Sequence, residues 1–318
     1  MRYLDFEQPL REIENKIEEL DTYARSRGID LVDEIEPLKR RAAELIQEIF
    51  DNLTPWQRIQ LARHPDRPYF LDYLHMIGQD FVELHGDRTF ADDQAIVTGL
   101  CSIDGKSVAV IGHQKGRDTE ENLRRNFGMA HPEGFRKALR VMELAARQNL
   151  PILTFIDSAG AFPGIGAEER GQHEAIARNL MIMAGLPVPI ICVVTGEGGS
   201  GGALAIGIGN RVLILEYAYY AVCTPEACAA IIHKDRTKAA EIAEGMRIIA
   251  PDLHRLGLVE EIIPEPRGAA HRHPEETARN IKEALLRHLA ELSRLSPDEL
   301  IEDRYQRFRQ MGVFTEAE

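Results

Sequence analysis

The chain has 318 residues, of which 44% are hydrophobic and 28% charged, as is typical of a globular protein. Its net charge of −13 at pH 7 disfavours nucleic acid and anionic membrane surfaces as partners, because the overall field repels both. No apolar run reaches the ~20 residues that a membrane-spanning helix needs, and the charged N-terminus does not resemble a signal peptide. The four cysteines show no Cys-x-x-Cys spacing, so we expect reduced thiols and a cytoplasmic protein.

The N-terminal part of the chain has apolar residues three or four positions apart, the spacing of an amphipathic helix. Two such runs are separated by Gly28 and by Asp30, a potential helix cap. We therefore predict an α-helical hairpin over residues 1–53, which packs either on the rest of the chain or on a partner. Residues 54–318 are assigned to a second domain that ends in helices.

From residue 95 onward, apolar runs typical of buried strands alternate with helical patterns. Asp104-Gly105 predicts a hairpin turn between the first two strands. Strands separated by helices, with wholly apolar interiors, indicate an α/β fold with a buried sheet. The predicted strands are 95–101, 107–112, 152–157, 189–195, 211–216 and 219–223, and the predicted helices are 132–148, 167–184, 203–208 and 275–295.

Two glycine-rich segments, 157–169 and 196–203, follow successive predicted strands and lead into helices. Glycine at this density costs conformational entropy, so it is retained where the backbone must approach something closely. Free N–H groups at a helix start suit an anion, such as a phosphate or an oxyanion. The alternative is that these glycines only permit tight turns and close packing of helix on sheet.

Gly198-Gly199-Ser200-Gly201-Gly202 also matches the Gly-x-Ser-x-Gly pattern of a hydrolase nucleophile. His131 or His173, together with Asp157, would then complete a catalytic triad. A serine hydrolase that uses Ser200 is therefore an alternative function. A non-catalytic scaffold for another acyltransferase is a third.

Cations concentrate between the second predicted strand and the first long helix, where they suit either an anionic ligand or a solvated helix face. They are Lys115, Arg117, Arg124, Arg125, Arg136, Lys137 and Arg140. We favour Arg117 as a ligand of a carboxylate, because it follows Gly116 directly after a strand. His271-Arg272-His273 lies in a polar Pro/Gly segment with no third ligand nearby in sequence, so we predict a solvated turn there and no metal.

Several stretches of the chain resemble the α subunits of bacterial acetyl-CoA carboxylase carboxyltransferases. The resemblance runs from Leu4 to Arg307 and therefore covers nearly the whole chain. The matching stretches are 85–88, 112–117, 125–129, 160–172, 196–205 and 262–266. The sequence departs from the family's usual pattern at Ser158-Ala159, at Phe162 in place of Tyr, and at 224–228. Phe162 offers no hydroxyl group at this position.

The resemblance implies a crotonase/Clp-protease-like spiral of ββα units. It implies transfer of a carboxyl group from carboxybiotin to acetyl-CoA, giving malonyl-CoA in the first committed step of fatty acid synthesis. Carboxybiotin would arrive on a separate biotin carboxyl carrier protein, and ATP would be used elsewhere, by a biotin carboxylase. A β subunit with a zinc ribbon would complete an α₂β₂ assembly, which leaves no metal on this chain.

The resemblance also implies roles for individual residues. Gly201 and Gly202 would form the oxyanion hole for biotin. The surrounding substrate-binding set comprises Gly198, Gly199, Arg117, Gly160, Ala161, Phe162, Gly164 and Gly166.

Overall fold

A computed structural model describes residues 2–312 of the chain. The helices of this part are α1 Gln8–Arg27, α2 Val32–Asp51, α3 Pro55–Ala62, α4 Phe70–Ile77, α5 Thr119–Arg124, α6 Pro132–Arg147, α7 Ile165–Glu169, α8 Gln172–Ala184, α9 Ser200–Leu204, α10 Pro225–His233, α11 Ala239–Met246, α12 Ala250–Arg255, α13 Pro274–Leu292 and α14 Pro297–Arg309. The strands are β1 Gln79–Glu83, β2 Ile96–Ile103, β3 Lys106–His113, β4 Ile152–Ser158, β5 Ile190–Gly199, β6 Arg211–Leu215, β7 Tyr219–Ala221 and β8 Glu261–Ile263. None of the helices within residues 2–312 is long and apolar enough to cross a membrane.

The two predicted N-terminal helices form as α1 and α2. Gly28 ends α1 in the left-handed conformation (φ 64°), which glycine adopts without steric cost. The base of the hairpin packs on the body of the same chain, where Phe50 and Leu53 share an apolar cluster with Tyr217. Arg272 reinforces this contact through an ion pair with Glu14 (2.8 Å). The boundary that we drew after residue 53 stays a prediction.

The strands form one mixed sheet in the order β1-β2-β3-β4-β5-β6-β8, with β7 paired to the end of β5. The first three strands are antiparallel and the pairs from β3 to β8 are parallel. The β2–β3 turn has positive φ at both Asp104 (53°) and Gly105 (76°), as a two-residue hairpin requires. The predicted α/β class with a buried sheet is confirmed.

Three local predictions differ from the structure. Strand β5 continues to Gly199, through most of the expected glycine turn, because β7 pairs with Glu197–Gly199 in parallel. The short helix therefore starts at Ser200 rather than at residue 203. The predicted helix 167–184 is two helices, since Gly171 between them has φ 81°.

Arg304 of α14 fixes the C-terminal helix to the sheet layer. Its buried guanidinium donates to the carbonyl oxygens of Met183, Leu186 and Val188 just beyond or at the end of α8. It also donates to Asn210 Oδ1 at 2.7 Å. Burial lowers the pKa of Arg304 to about 10, which still leaves it charged at neutral pH.

Candidate functional site

The two glycine segments meet at the carboxyl ends of β4 and β5, which are parallel neighbours. Carboxyl ends of neighbouring parallel strands lie at the same edge of a sheet, where α/β proteins bind ligands. A Cβ atom on Gly202 would lie 2.6 Å from the backbone nitrogen of Ala161. The structure thus brings the predicted residues Gly160 and Ala161 against the predicted residue Gly202, backbone to backbone. The predicted residue Gly199 lies against the backbone of Ala159 in the same way.

The second segment places N–H groups at the start of α9. Ser200, Gly201 and Gly202 are the first residues of that helix, and the first N–H groups of a helix have no acceptor within it. Gly202 is buried, whereas Gly201 is partly exposed and Ser200 exposed. Donors at this position can stabilise negative charge on a bound group, as the sequence predicts.

An apolar cavity of about 330 Å³ opens beside this helix start. Its lining is almost entirely apolar apart from Arg307, and Ser200 and Gly201 form part of the wall. Leu204, Tyr220 and Phe308 are among the other residues that line it. The cavity therefore suits the apolar part of a ligand whose polar group faces α9.

The first glycine segment is shaped by its own side chains. Ser158 Oγ donates to the carbonyl oxygen of Gly160 (2.8 Å), which closes the turn that presents Ala161. Phe162 stacks on His131, with 4.3 Å between ring centroids. Gly164 lies against the Phe162 ring and is the N-cap of α7, and Gly166 is the second residue of that helix. Phe162 therefore acts here as a packing residue, without need of a hydroxyl.

A buried network of charges lies where the two strands end. Lys115 Nζ contacts Asp157 Oδ1 at 2.6 Å and Glu197 Oε1 at 3.0 Å. Burial alone would lower the pKa of Lys115, but the two carboxylates reverse this effect and raise it. Burial would raise the pKa of Glu197, yet Lys115 and Arg63 lower it to about 2. Lys115 and Glu197 are therefore both charged at neutral pH.

The network continues from Glu197 toward the surface. Arg63 Nε donates to Glu197 Oε2 at 2.8 Å, and Tyr219 Oη donates to the same oxygen at 2.6 Å. Arg63 also pairs with Glu226 of α10 at 2.6 Å. Sequence reasoning missed this network. Its one signal was the charged residues inside otherwise apolar or glycine-rich runs.

The Arg117 side chain binds to other residues of this chain. Its guanidinium donates to the carbonyl oxygens of Pro65 and Arg67, pairs with Asp72, and stacks 4.0 Å from the Tyr69 ring centroid. Contact with a substrate carboxylate would require Arg117 to leave these partners. The other cations of the region include Lys137 and Arg136, which pair with Asp92 and Asp87.

The residues of the alternative catalytic triad pair with other groups and not with one another. His131 pairs with Asp93 at 3.1 Å, and the exposed His173 faces Glu168. Asp157 is bound to Lys115. Among residues 2–312, Ser200 Oγ makes no hydrogen bond to any of these groups, so the geometry gives the hydrolase mechanism no support.

His271 is buried, so the predicted solvated turn is wrong at this residue. It stacks on His64 with 3.9 Å between ring centroids, and Glu7 from the N-terminal segment lies beside the pair. The Glu7 carboxylate also lies 4.0 Å from the guanidinium of Arg272. Sequence separation concealed this cluster, because its members come from both ends of the chain. It joins the N-terminal segment to the body of the protein.

Comparison with solved structures gives the class of the fold. The transcarboxylase 12S core, solved with methylmalonyl-coenzyme A and methylmalonic acid bound, matches with a TM-score of 0.57 and 22% identity. The match covers 70% of this chain and 42% of that one. The chain thus has the fold of the crotonase-like carboxyltransferases, which confirms the predicted spiral architecture.

Sequence comparison is more specific. The family model described as acetyl co-enzyme A carboxylase carboxyltransferase-like matches residues 3–312. The acetyl-coenzyme A carboxylase carboxyl transferase subunit alpha of Geobacter metallireducens is 58% identical over 313 residues, and the match covers 98% of each chain. That of Thermus thermophilus is 56% identical, with 98% of this chain and 99% of the relative covered. The chain belongs to the acetyl-CoA carboxylase carboxyltransferase α-subunit family.

Proposed function

We propose that this chain supplies the carboxybiotin-binding half of an acetyl-CoA carboxyltransferase, which makes malonyl-CoA in the first committed step of fatty acid synthesis. The observation that carries the proposal is the backbone contact between the two glycine segments at Gly160 and Gly202. This contact places the free N–H groups of α9 at the carboxyl edge of the sheet. Family membership over residues 3–312 supplies the reaction class.

In the proposed mechanism, carboxybiotin is a substrate delivered from outside. The bond between its carboxyl carbon and ureido nitrogen breaks, CO₂ departs, and negative charge moves to the ureido oxygen. The N–H groups of Gly201 and Gly202 stabilise that charge. The ureido nitrogen then takes a proton from the methyl group of acetyl-CoA, and the resulting carbanion adds to CO₂. One preorganised donor of this kind typically contributes about 10²–10³ in rate.

The other residues near the site position this chemistry. Gly199 lets β5 run close to the first glycine segment, where a Cβ atom on Gly199 would overlap the backbone of Ala159. Gly198 instead faces β7, where its Cβ atom would lie 2.8 Å from the Tyr220 ring. The apolar cavity beside Gly201 would take the ring system of biotin. The α9 N–H groups and this cavity together provide one polar and one apolar contact surface.

The reaction needs components that this chain does not supply. We propose a β subunit with a zinc ribbon in an α₂β₂ complex, which would hold acetyl-CoA, and a biotin carboxyl carrier protein charged by an ATP-dependent biotin carboxylase. We place the reaction in the cytoplasm, where the free thiols of Cys101 and Cys192 would stay reduced. The names of the relatives, which call them subunit alpha, support a multi-subunit enzyme.

The test is reconstitution with the β subunit from the same genome. Malonyl-CoA formation from acetyl-CoA and carboxylated carrier protein should require both chains and cease when either is omitted. A complex that forms but shows no turnover would favour the scaffold function. Labelling of Ser200 by a fluorophosphonate, with ester hydrolysis by the α chain alone, would favour the hydrolase.

A further inference from the structure

We infer that Lys115 is a positioning residue for the proposed carboxyl transfer. Its ammonium group fixes the ends of β4 and β5 relative to each other and so keeps the two glycine segments in contact. The inference rests on the proposed function, because it concerns the geometry of that same site. Lys115 is largely buried and acts through Asp157 and Glu197, not on a substrate.

The regular pairing of the two strands is interrupted where the site begins. The parallel register of β4 and β5 is continuous from Ile152 to Ile156, shifts around Asp157, and resumes only at Ser158 with Gly198. Backbone hydrogen bonding alone therefore leaves the strand ends weakly constrained. Side chains must provide the missing connection.

One oxygen atom of Asp157 provides much of that connection. Asp157 Oδ1 accepts a hydrogen bond from the backbone nitrogen of Glu197 (2.9 Å) and another from Lys115 Nζ (2.6 Å). Lys115 Nζ also donates to Glu197 Oε1 at 3.0 Å. A single ammonium group therefore bridges the last residues of both strands. It reaches them from the segment that follows β3.

Loss of the Lys115 charge would affect the two carboxylates unequally. The Asp157 and Glu197 carboxylates are both buried and would repel each other if Lys115 were removed. Arg63 would still neutralise Glu197, because it pairs with Oε2 of that residue. Asp157 would keep the hydrogen bond from the backbone nitrogen of Glu197 but would lose its cation. Loss of Lys115 should therefore push Asp157, and the glycine segment that follows it, away from β5.

Packing leaves little freedom for a substitute group. A Cβ atom on Gly128 would lie 3.0 Å from Lys115 Cγ and 3.2 Å from the carbonyl oxygen of Asp157. The lysine stem is thus enclosed on that side by backbone. A side chain without the ammonium group would fill the channel but could not make the bridge.

The experiment compares three variants in the reconstituted complex: Lys115→Met, Lys115→Met/Glu197→Gln, and Lys106→Met. The double variant removes one carboxylate charge along with the cation, so it should fold even if the single variant does not. Lys106 is an exposed lysine at the start of β3 and serves as the matched control. We expect both Lys115 variants to lose about 10²-fold in kcat, the scale of one misplaced donor, with KM for acetyl-CoA nearly unchanged.

Hydrogen exchange gives a readout independent of turnover. Amides of both glycine segments should exchange faster in the Lys115 variants than in wild type, while those of β2 should not. A folded double variant with wild-type kcat and unchanged exchange would overturn the inference. A wild-type complex that makes no malonyl-CoA would instead count against the proposed function, and the exchange result would still decide the role of Lys115.

Discussion

A Cβ atom on Gly202 would lie 2.5 Å from the carbonyl carbon of Gly160, a distance that the backbone can accommodate only by moving. At Gly201 the same atom would meet only the side chain of Ile176, at 3.5 Å. The two adjacent glycines therefore differ in what they tolerate. Gly202 is required for contact between the segments, whereas Gly201 has room for a methyl group.

This difference predicts opposite outcomes for a matched pair of variants. Gly202→Ala should reduce malonyl-CoA formation by more than about 10²-fold, because the glycine segments must separate and the donors are displaced. Gly201→Ala keeps its backbone N–H and should stay within about tenfold of wild type. Steady-state kinetics of the assembled complexes, with circular dichroism to monitor folding, make the comparison. Equal activity in the two variants would contradict the proposed arrangement.

Ser200 has a left-handed backbone (φ 53°), which costs a non-glycine residue free energy. Since the proposed mechanism has no covalent intermediate, Ser200→Ala should retain most of the carboxyltransferase activity and nearly wild-type stability. Ser200→Gly should raise stability by roughly 1 kcal/mol, because it relieves the backbone strain. Thermal unfolding and turnover of both variants test this. An activity loss above about 10³-fold for Ser200→Ala would revive the nucleophile hypothesis.

Arg117 fastens the segment between α3 and α4 through Pro65 and Arg67, and the first turn of α4 through Asp72. We therefore expect Arg117→Ala to lower Tm and to weaken malonyl-CoA and acetyl-CoA binding to a similar, small extent. Arg117→Lys keeps the charge without the planar guanidinium group, so its Tm and affinities should fall between those of wild type and Arg117→Ala. Calorimetric titration of the three complexes gives the affinities. A loss confined to malonyl-CoA would establish the direct carboxylate contact predicted from the sequence.

The His64–His271 pair should make stability depend on pH. Burial lowers the pKa of both rings, that of His271 to about 2 with help from His64 and Arg272. The unfolded chain takes up protons near pH 6.5, so its histidines bind more protons than the folded state does below that pH. The contribution of the two rings to the free energy of unfolding is therefore fully present above about pH 6.5. It decreases as the pH falls below that value, by up to ~1.4 kcal/mol per pH unit for each ring.

Urea unfolding at pH 7, 6 and 5 measures this slope. His271→Gln should flatten it, whereas His173→Gln, at an exposed ring, should leave it unchanged. Parallel slopes for wild type and His271→Gln would show that other groups cause the acid sensitivity.

The central sheet could be predicted because its strands are continuously apolar and separated by helices. The edges could not. Strand β1 contains three polar residues among its five, and β8 has only three residues, so neither gives a periodic signal. The end of β5 and the start of α9 depend on the pairing of β5 with β7, a non-local interaction that local sequence patterns do not report.

At the site, glycine density was sufficient to find both segments, since close backbone approach requires glycine wherever it occurs. The Lys115 network was not predictable in the same way. Its contacts join residues 42 and 82 positions apart in sequence, and they depend on the stagger of three strands. Arg117 illustrates the opposite difficulty. A cation directly after a strand suggests a ligand-binding residue. In the structure, however, the Arg117 guanidinium binds neighbouring carbonyl groups and Asp72.

Arg304 links chain synthesis to folding. The carbonyl groups at the end of α8 and Asn210 obtain this donor from near the C-terminus, more than a hundred residues after Met183. Strands β1 to β8 all precede α14, so the whole sheet sequence is synthesised before this donor. Those buried acceptors lack their partner until α14 packs against them. A chain truncated before α14 should therefore unfold at a lower temperature than the full sequence.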